Sequence, residues 1–425
     1  MSKRLPDPNP VAGNGLLHRR EFLTGGALAA GAAGAALMVA RPAVAAPPDT
    51  PAWMKTPGAG MSPYGARSSF ESDVQRLVGS AAGTVGAGAS RTPLERLEGI
   101  ITPNALHFER HHNGIPNIDP AEHRLLIHGL VDRPLIFDLD ALARYPLVSA
   151  IRFIECSGNG RANLGAEPAL QSPGELHGLL SCADWTGVPV SVLLDEAGVR
   201  PEARWIVAEG ADAAAMVRSI PMAKALDDAV IALYQNGERL RPSNGYPMRL
   251  LLPGWEGNTN VKWIRRIQVT SEPAMARDET SKYTDLLPDG RAEMFTFPMS
   301  VKSVITSPGG GASMQGAGVY QISGLAWSGG GRIRRVEVSA DGGRSWTDAE
   351  LSGPVLPKAL VRFRLPWRWN GGPAVLQSRA TDETGAVQPT RDALISERGT
   401  KFNYHYYAIQ SWAVSETGEV ANVYG

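Results

Sequence analysis

The 425-residue chain is predicted to fold as an α+β body followed by an all-β sandwich of immunoglobulin type. Three observations predict this. Between about residues 96 and 298 short strand-like runs mix with modest amphipathic helices, the pattern of an α+β core of mixed sheets. From about Met299 the helical signal nearly disappears, and apolar runs recur between turn signals at the spacing of a sandwich. The first 45 residues carry a different pattern, that of an export leader.

In chain order, His18-Arg19-Arg20-Glu21-Phe22-Leu23 precedes an Ala/Gly-rich apolar stretch from Gly25 to Ala40, and Ala43-Val44-Ala45 suits cleavage. This resembles a twin-arginine signal, which exports folded proteins to the periplasm; an N-terminal membrane anchor is the competing reading. Residues 46–95, rich in Pro, Gly, Ser and Ala, are expected to form an extended arm with little regular structure. In the body, Arg124 to Val131 is expected as a strand, Asp138 caps a short helix through Leu142, and Val188 to Ala197 forms a helix turning Val192, Leu193 and Leu194 inward. Trp205 to Ala208, Ala229 to Tyr234 and Met248 to Trp255 are further strands. In the sandwich, strands are expected at Val319–Ile322, Ile333–Val338, Val361–Leu365 and Ala374–Ala380, with hairpin turns at Asp341-Gly342-Gly343 and Asp382-Glu383-Thr384-Gly385.

Composition narrows the function. Acidic and basic residues balance at 42 each, which gives no global case for nucleic acid or an anionic membrane as partner. There are two cysteines and no Cys-x-x-Cys-His, so covalent c-type haem and a four-cysteine iron–sulfur cluster are both excluded. Export in the folded state points to a cofactor inserted before transport. A cofactor held through one cysteine remains open.

Cys156 ends the run Ile151-Arg152-Phe153-Ile154-Glu155 and enters Ser157-Gly158-Asn159-Gly160-Arg161, where a strand empties into a loop that can approach a ligand. Loop amides and a nearby guanidinium favour the thiolate, a nucleophile or soft-metal ligand. A disulfide with Cys182 is the alternative. Phe108-Glu109-Arg110-His111-His112 places cationic and imidazole groups in a turn-rich loop suited to an anion; His107, His111 and His112 also allow zinc or copper, though without further ligand spacing. Arg249 lies in an apolar strand and, if buried, needs an anionic partner, either an internal carboxylate or a phosphate. The Gly/Asn-rich stretch from Gly254 to Trp263 offers free backbone N–H groups, but contains no Walker or dinucleotide fingerprint.

Together, the Cys156 loop, the Phe108–His112 loop before it, Pro253-Gly254-Trp255-Glu256-Gly257 with Val261-Lys262-Trp263 after it, and the sandwich ending resemble the sulfite oxidase family of molybdenum enzymes. The resemblance spans roughly residues 95–425. Ile101-Thr102-Pro103-Asn104, Tyr234 to Pro242 and Leu365-Pro366-Trp367-Arg368-Trp369 are similar to the molybdenum subunits of the family's sulfane dehydrogenase branch. It implies a sulfite-oxidase-type molybdopterin-binding domain at 96–298 and an immunoglobulin-like dimerisation domain at 299–425. It also implies one Mo-molybdopterin, unconjugated to a nucleotide, whose metal is ligated by Cys156, leaving Cys182 a buried free thiol.

Arg110, Arg161 and Tyr283 match catalytic positions. Phe108, Arg110, His112, Asp212, Asn244, Arg249, Asn260 and Lys262 match cofactor contacts. Vertebrate members have histidine where Asn244 stands, so that contact is altered. A pocket arginine from the second domain is expected among Arg362, Arg364 and Arg368. The resemblance further implies a homodimer, electron transfer to a separate c-type cytochrome subunit because this chain holds no haem, and a substrate sulfur chain borne on a carrier-protein cysteine during thiosulfate oxidation. Direct sulfite oxidation with cytochrome c is the alternative activity. An exported binding protein with a Cys156–Cys182 disulfide and no metal is the alternative outside enzymology.

Overall fold

The computed structural model describes residues 50–81 and 84–425; the twin-arginine motif and its apolar stretch lie outside them. Arg67–Gly425 form one compact unit.

The body is built on two five-stranded sheets. One runs Glu238–Arg239, Val230–Gln235, Leu180–Pro189, Val148–Glu155, with Arg249–Leu251 also paired to Val230–Gln235. The other runs Leu135–Phe137, Leu125–Gly129, Ile264–Thr270, Trp205–Gly210, Val217–Pro221, and its one parallel pairing joins Leu125–Gly129 to Ile264–Thr270. Leu125, Ile127, Val188, Ile206, Ile231, Leu250 and Ile267 form a common core with Leu193 and Leu194 of the helix Val190–Ala197. That helix starts two residues later than expected, because Val188 and Pro189 complete a strand, and Val192 is only half-buried. Asp138 caps Leu139–Leu142 by accepting from the Ala141 N–H at 2.8 Å, as its position predicts.

Two expectations need correction. The end of the arm is regular: Leu77–Ser80 and Gly88–Arg91 form a hairpin that pairs with Glu109–His111. The Phe108–His112 segment is therefore partly a strand, with Arg110 opposite Ala89. The strand expected from Met248 to Trp255 shrinks to Arg249–Leu251, since Pro253 has no N–H for a ladder and Gly254 takes φ +77°.

The sandwich packs Lys302–Ser307, Gly318–Trp327, Val361–Trp369 and Glu350–Ser352 against a sheet of Thr347–Asp348, Ile333–Ser339, Ala374–Asp382, Ser411–Val414 and Val420–Val423. Ile305, Ile322, Val336, Phe363, Leu376 and Trp412 fill the space between. The turn at Asp341 works as read, with both glycines at positive φ (73° and 85°). The helix Arg391–Arg398, capped by Thr390, was not foreseen. It leads into the segment that brings Thr400–Tyr404 to the functional cleft.

Body and sandwich share a core in which Phe153, Leu180 and Cys182 meet Val304, Leu325 and Trp327. A buried ion pair, Lys302 to Glu155 at 3.2 Å, joins the same two parts, and the Trp327 Nε1–H donates to Glu155 at 2.6 Å. Glu155 immediately precedes Cys156, so the sandwich helps anchor the cysteine loop.

Candidate active site

Cys156 leaves its strand with its N–H donating to Leu179 O at 2.9 Å, and its own carbonyl accepts from the Asn159 N–H at 2.9 Å. Asn159 is buried. Its amide donates to Glu155 at 2.9 Å, and its side-chain oxygen accepts from the Leu179 N–H at 3.1 Å. Asn159 thus closes the turn that aims the thiol outward, a role sequence reasoning overlooked. The sulfur lies where two cavities meet.

The inner cavity is lined by His107 to His112, Asp212, Asn244, Arg249, Asn260, Lys262 and Tyr283. All eight residues assigned to the cofactor border it. The outer cavity, about 790 Å³, adds Arg161, Lys282 and the sandwich residues Thr400–Tyr404, and shares Arg110, His112, Cys156 and Tyr283 with the inner one. A Cβ built on Gly158 would lie 4.0 Å from both the Arg161 Cδ and the Cys156 Sγ, so Arg161 shares the Cys156 side of the outer cavity. None of Arg362, Arg364 and Arg368 borders either cavity. Arg362 is buried against the Leu97 and Gly99 carbonyls, Arg364 pairs with Glu98, and Arg368 is exposed. In Val361–Trp369 they sit on the sandwich, remote in the fold from the Thr400–Tyr404 segment that does reach the cleft.

The inner cavity holds buried positive charge with unusual partners. Arg249 is 4% exposed and donates to the carbonyls of Asn244 (2.9 Å) and Asn260 (2.8 Å). The anionic partner expected for it is not among the described residues, and burial alone lowers its pKa to about 9. Lys262 donates to Arg110 O (3.2 Å), Ser243 O (3.1 Å) and His111 Nδ1 (2.8 Å). Burial, with Arg249 nearby, holds its pKa well below the ordinary lysine value. Buried cations without counter-ions are costly. Around them, His107 Nε2, Asp212 Oδ1, Asn244 Oδ1 and Asn258 Oδ1 are buried without hydrogen-bond partners. A cleft with one uncompensated guanidinium, the Lys262 ammonium, four unsatisfied polar atoms and a thiol fits an anionic, heteroatom-rich cofactor with a soft metal, as a molybdenum–pterin phosphate is.

At the junction, His112 Nε2 lies 2.9 Å from the Tyr283 hydroxyl. Burial first, and then Arg110, bring His112 down to about 4. Burial, together with the Cys156 charge, raises the Tyr283 phenol. At neutral pH the imidazole is therefore uncharged and accepts from a protonated phenol. Tyr283 sits at φ +52°, a sparsely populated conformation for a side-chain-bearing residue. Arg218 lies under its ring, 4.9 Å from the centroid. Arg218 is itself clamped by Glu256 and Glu279, each at 3.1 Å, and His405 reaches Glu256 at 3.3 Å while its N–H donates to Ser157 O at 2.7 Å. Nothing in the spacing of these four residues signalled that they would converge.

Other expectations are corrected here. Burial pushes the Cys156 thiol up, outweighing the Gly158 N–H and Arg110, so the chain's own groups do not produce the thiolate that the loop suggested. The disulfide does not form: both cysteines are free, and Cys182 faces the Phe153–Trp327 core, its thiol pushed up to about 12 by burial. The histidines do not converge on one ion, and no cluster of three or more His, Cys, Asp or Glu occurs among the described residues. Instead, His111 bonds Lys262 and Glu109, His107 Nδ1 faces its neighbour's carbonyl, and His112 meets Tyr283.

The chain belongs to the sulfite oxidase family of molybdenum enzymes. Residues 112–277 match the oxidoreductase molybdopterin binding domain, and residues 293–411 match the Mo-co oxidoreductase dimerisation domain. The sulfane dehydrogenase SoxCD of Paracoccus pantotrophus superimposes with a TM-score of 0.86 at 47% identity, covering 88% of this chain and 97% of that one. Mitochondrial sulfite oxidase of Mus musculus is 34% identical over 318 residues, 69% of this chain and 58% of its own length. NADH nitrate reductase of Ulva prolifera is 32% identical over 279 residues, 59% of this chain and 32% of its own. The chain thus spans little more than half of the mouse relative, and the same family includes a protein named for nitrate.

Proposed function

We propose that the chain is the molybdenum subunit of a periplasmic sulfane dehydrogenase, oxidising sulfur carried on a protein cysteine during thiosulfate oxidation and passing electrons to a separate c-type cytochrome. The 47% identity to SoxCD over nearly all of that chain supports the sulfur class. The observation that carries the reading is the pair of cavities meeting at Cys156: an inner cleft lined by the residues assigned to the pterin, and an outer vestibule of about 790 Å³. A small free anion needs far less room than this, whereas a substrate presented on a peptide arm needs a wide mouth.

The family's cofactor supplies two-electron redox and oxygen-atom chemistry when bound. Cys156 would ligate the metal; Phe108, His112, Asp212, Asn244, Arg249, Asn260 and Lys262 would hold the pterin and its phosphate. The rest falls to this chain's side chains. Arg110 and Arg161 attract and orient an anionic sulfur group by charge-assisted hydrogen bonds, which strengthen as the mouth closes over a bound arm and expels water. Tyr283, protonated, donates to the neutral His112 Nε2, which leaves its hydroxyl oxygen free to accept a hydrogen bond at the reacting centre, and the pair is placed to relay a proton there.

The test is elemental analysis of protein matured through its native export route, beside a Cys156→Ser variant. About one molybdenum per chain in the wild type, lost with activity in the variant, is expected. Turnover is then compared on a cysteine-persulfide peptide and on free sulfite. Preference for the peptide is expected; equal or better use of free sulfite would replace the proposal with a direct sulfite dehydrogenase.

A further inference from the structure

Arg161 is exposed in the vestibule, so its position rests on the turn beneath it, Arg161–Leu164. That turn is entered through Gly160 at φ +83°, where an added Cβ would come within 3.1 Å of the His177 Nδ1 and 3.2 Å of a Tyr406 ring carbon. One side chain in the turn, Asn163, is fully buried. Its amide donates to Gln410 Oε1 at 2.9 Å, and its oxygen accepts from the Asn422 amide at 3.1 Å. Gln410 also bonds His177 at 3.0 Å and donates to the Asn422 oxygen at 2.6 Å. Outside this knot, Arg391 donates to Asn163 O and Gly165 O, both at 3.1 Å. Its guanidinium stacks 3.8 Å over the Tyr424 ring, and the Tyr424 hydroxyl bonds Gly165 O at 2.9 Å.

Arg391, Gln410, Asn422 and Tyr424 all belong to the sandwich, yet they converge on one turn of the body, satisfying its outward-facing polar groups. Partners this complete are more than is needed to join two domains that already share an apolar core and the Glu155–Lys302 pair. They fix the backbone immediately after the residue that carries the exposed guanidinium, at Asn163 and Gly165.

We infer that the sandwich positions Arg161 for anion binding through this clamp, with Asn422, Arg391 and Tyr424 as positioning residues that never touch the substrate. The inference rests on the proposed role of Arg161. It assigns the second domain a part in the substrate site despite the absence of Arg362, Arg364 and Arg368 from the cleft.

The test measures sulfate binding to the full, cofactor-loaded chain by titration calorimetry. Tyr424→Phe keeps the ring beneath Arg391 and removes one donor; Asn422→Ala opens the buried knot. Each is expected to weaken sulfate binding about three- to tenfold, the scale of one lost hydrogen bond, with molybdenum content unchanged and faster amide exchange across residues 161–167. In an Arg161→Ala background, neither is expected to weaken binding further. Wild-type affinity in both variants, or losses that add in full to that of Arg161→Ala, would overturn the clamp alone. Equal sulfate binding by wild type and Arg161→Ala would overturn the anion-binding role itself, and the clamp's purpose with it.

Discussion

Two buried arginines, Arg249 lining the inner cavity and Arg218 behind the Tyr283 ring, have surroundings that differ in kind. Arg218, behind Tyr283, is neutralised by Glu256 and Glu279 at 3.1 Å each. Arg249, in the inner cavity, meets carbonyl oxygens and the Trp185 ring and no carboxylate among the described residues. The first cluster supplies its arginine with counter-ions from within the chain and acts as a mount for Tyr283, although Arg218 Nη1 and Glu279 Oε2 have no partner among the described residues. The second carries charge for which the described chain supplies no counter-ion, so it is complete only with an anion in place. The difference separates what the polypeptide holds for its own folding from what it holds for a ligand.

The largest effect expected from this contrast is acid sensitivity in the inner cavity. Burial lowers His107 to about 3, below the unfolded value, so the unfolded chain binds the proton first. Its contribution is fully present above pH 6.5 and is lost as pH falls toward 3, on the order of 5 kcal/mol at the acid limit. Equilibrium unfolding of the cofactor-free chain across that window should show this slope, and His107→Gln should flatten it. In the first cluster, Arg218→Met leaves two carboxylates buried without their cation. A loss of about 3–5 kcal/mol in unfolding free energy is expected, measurable by denaturant titration; a loss under about 1 kcal/mol would erase the distinction between the two arginines.

Arg249→Met is the counterpart. Removing an uncompensated charge should leave the unfolding free energy of the cofactor-free chain unchanged or raised, while molybdopterin retention through gel filtration falls about tenfold. Equal destabilisation by both arginine variants would show that Arg249 is structural. The smallest effect sharpens the parallel contrast between the cysteines. Cys182→Ala, deep in the Phe153–Trp327 core, should cost about 1–2 kcal/mol without changing molybdenum content, opposite to Cys156→Ser.

Much of this was legible in the sequence because it is written in local chemistry. Alternation of apolar residues, a capping Asp138 and paired glycines after Asp341 each act within a few residues, and each formed as read. The motif residues were legible for a related reason: Phe108, Arg110, His112, Cys156, Arg249 and Lys262 stand in short segments whose order the family shares, and all border one cleft. Reading failed where the outcome depended on distant partners. The hairpin Leu77–Arg91 looked irregular because its stabilising strand, Glu109–His111, comes later in the chain. Arg362 looked free to reach the substrate because nothing nearby in sequence shows the Leu97 and Gly99 carbonyls that capture it.

The sequence by itself determined the two-part architecture, the family and the cofactor-facing residues, since periodicity and motif order are properties of neighbouring positions. Only the tertiary structure showed that burial at Cys156 opposes the favourable loop and pushes its thiol up. It alone brought together the charged mount of Tyr283 and the sandwich clamp beneath Arg161. Each joins segments far apart in the chain, as Asn163 and Asn422 are, and their energies arise from desolvation and hydrogen-bond closure that exist only once the chain has packed.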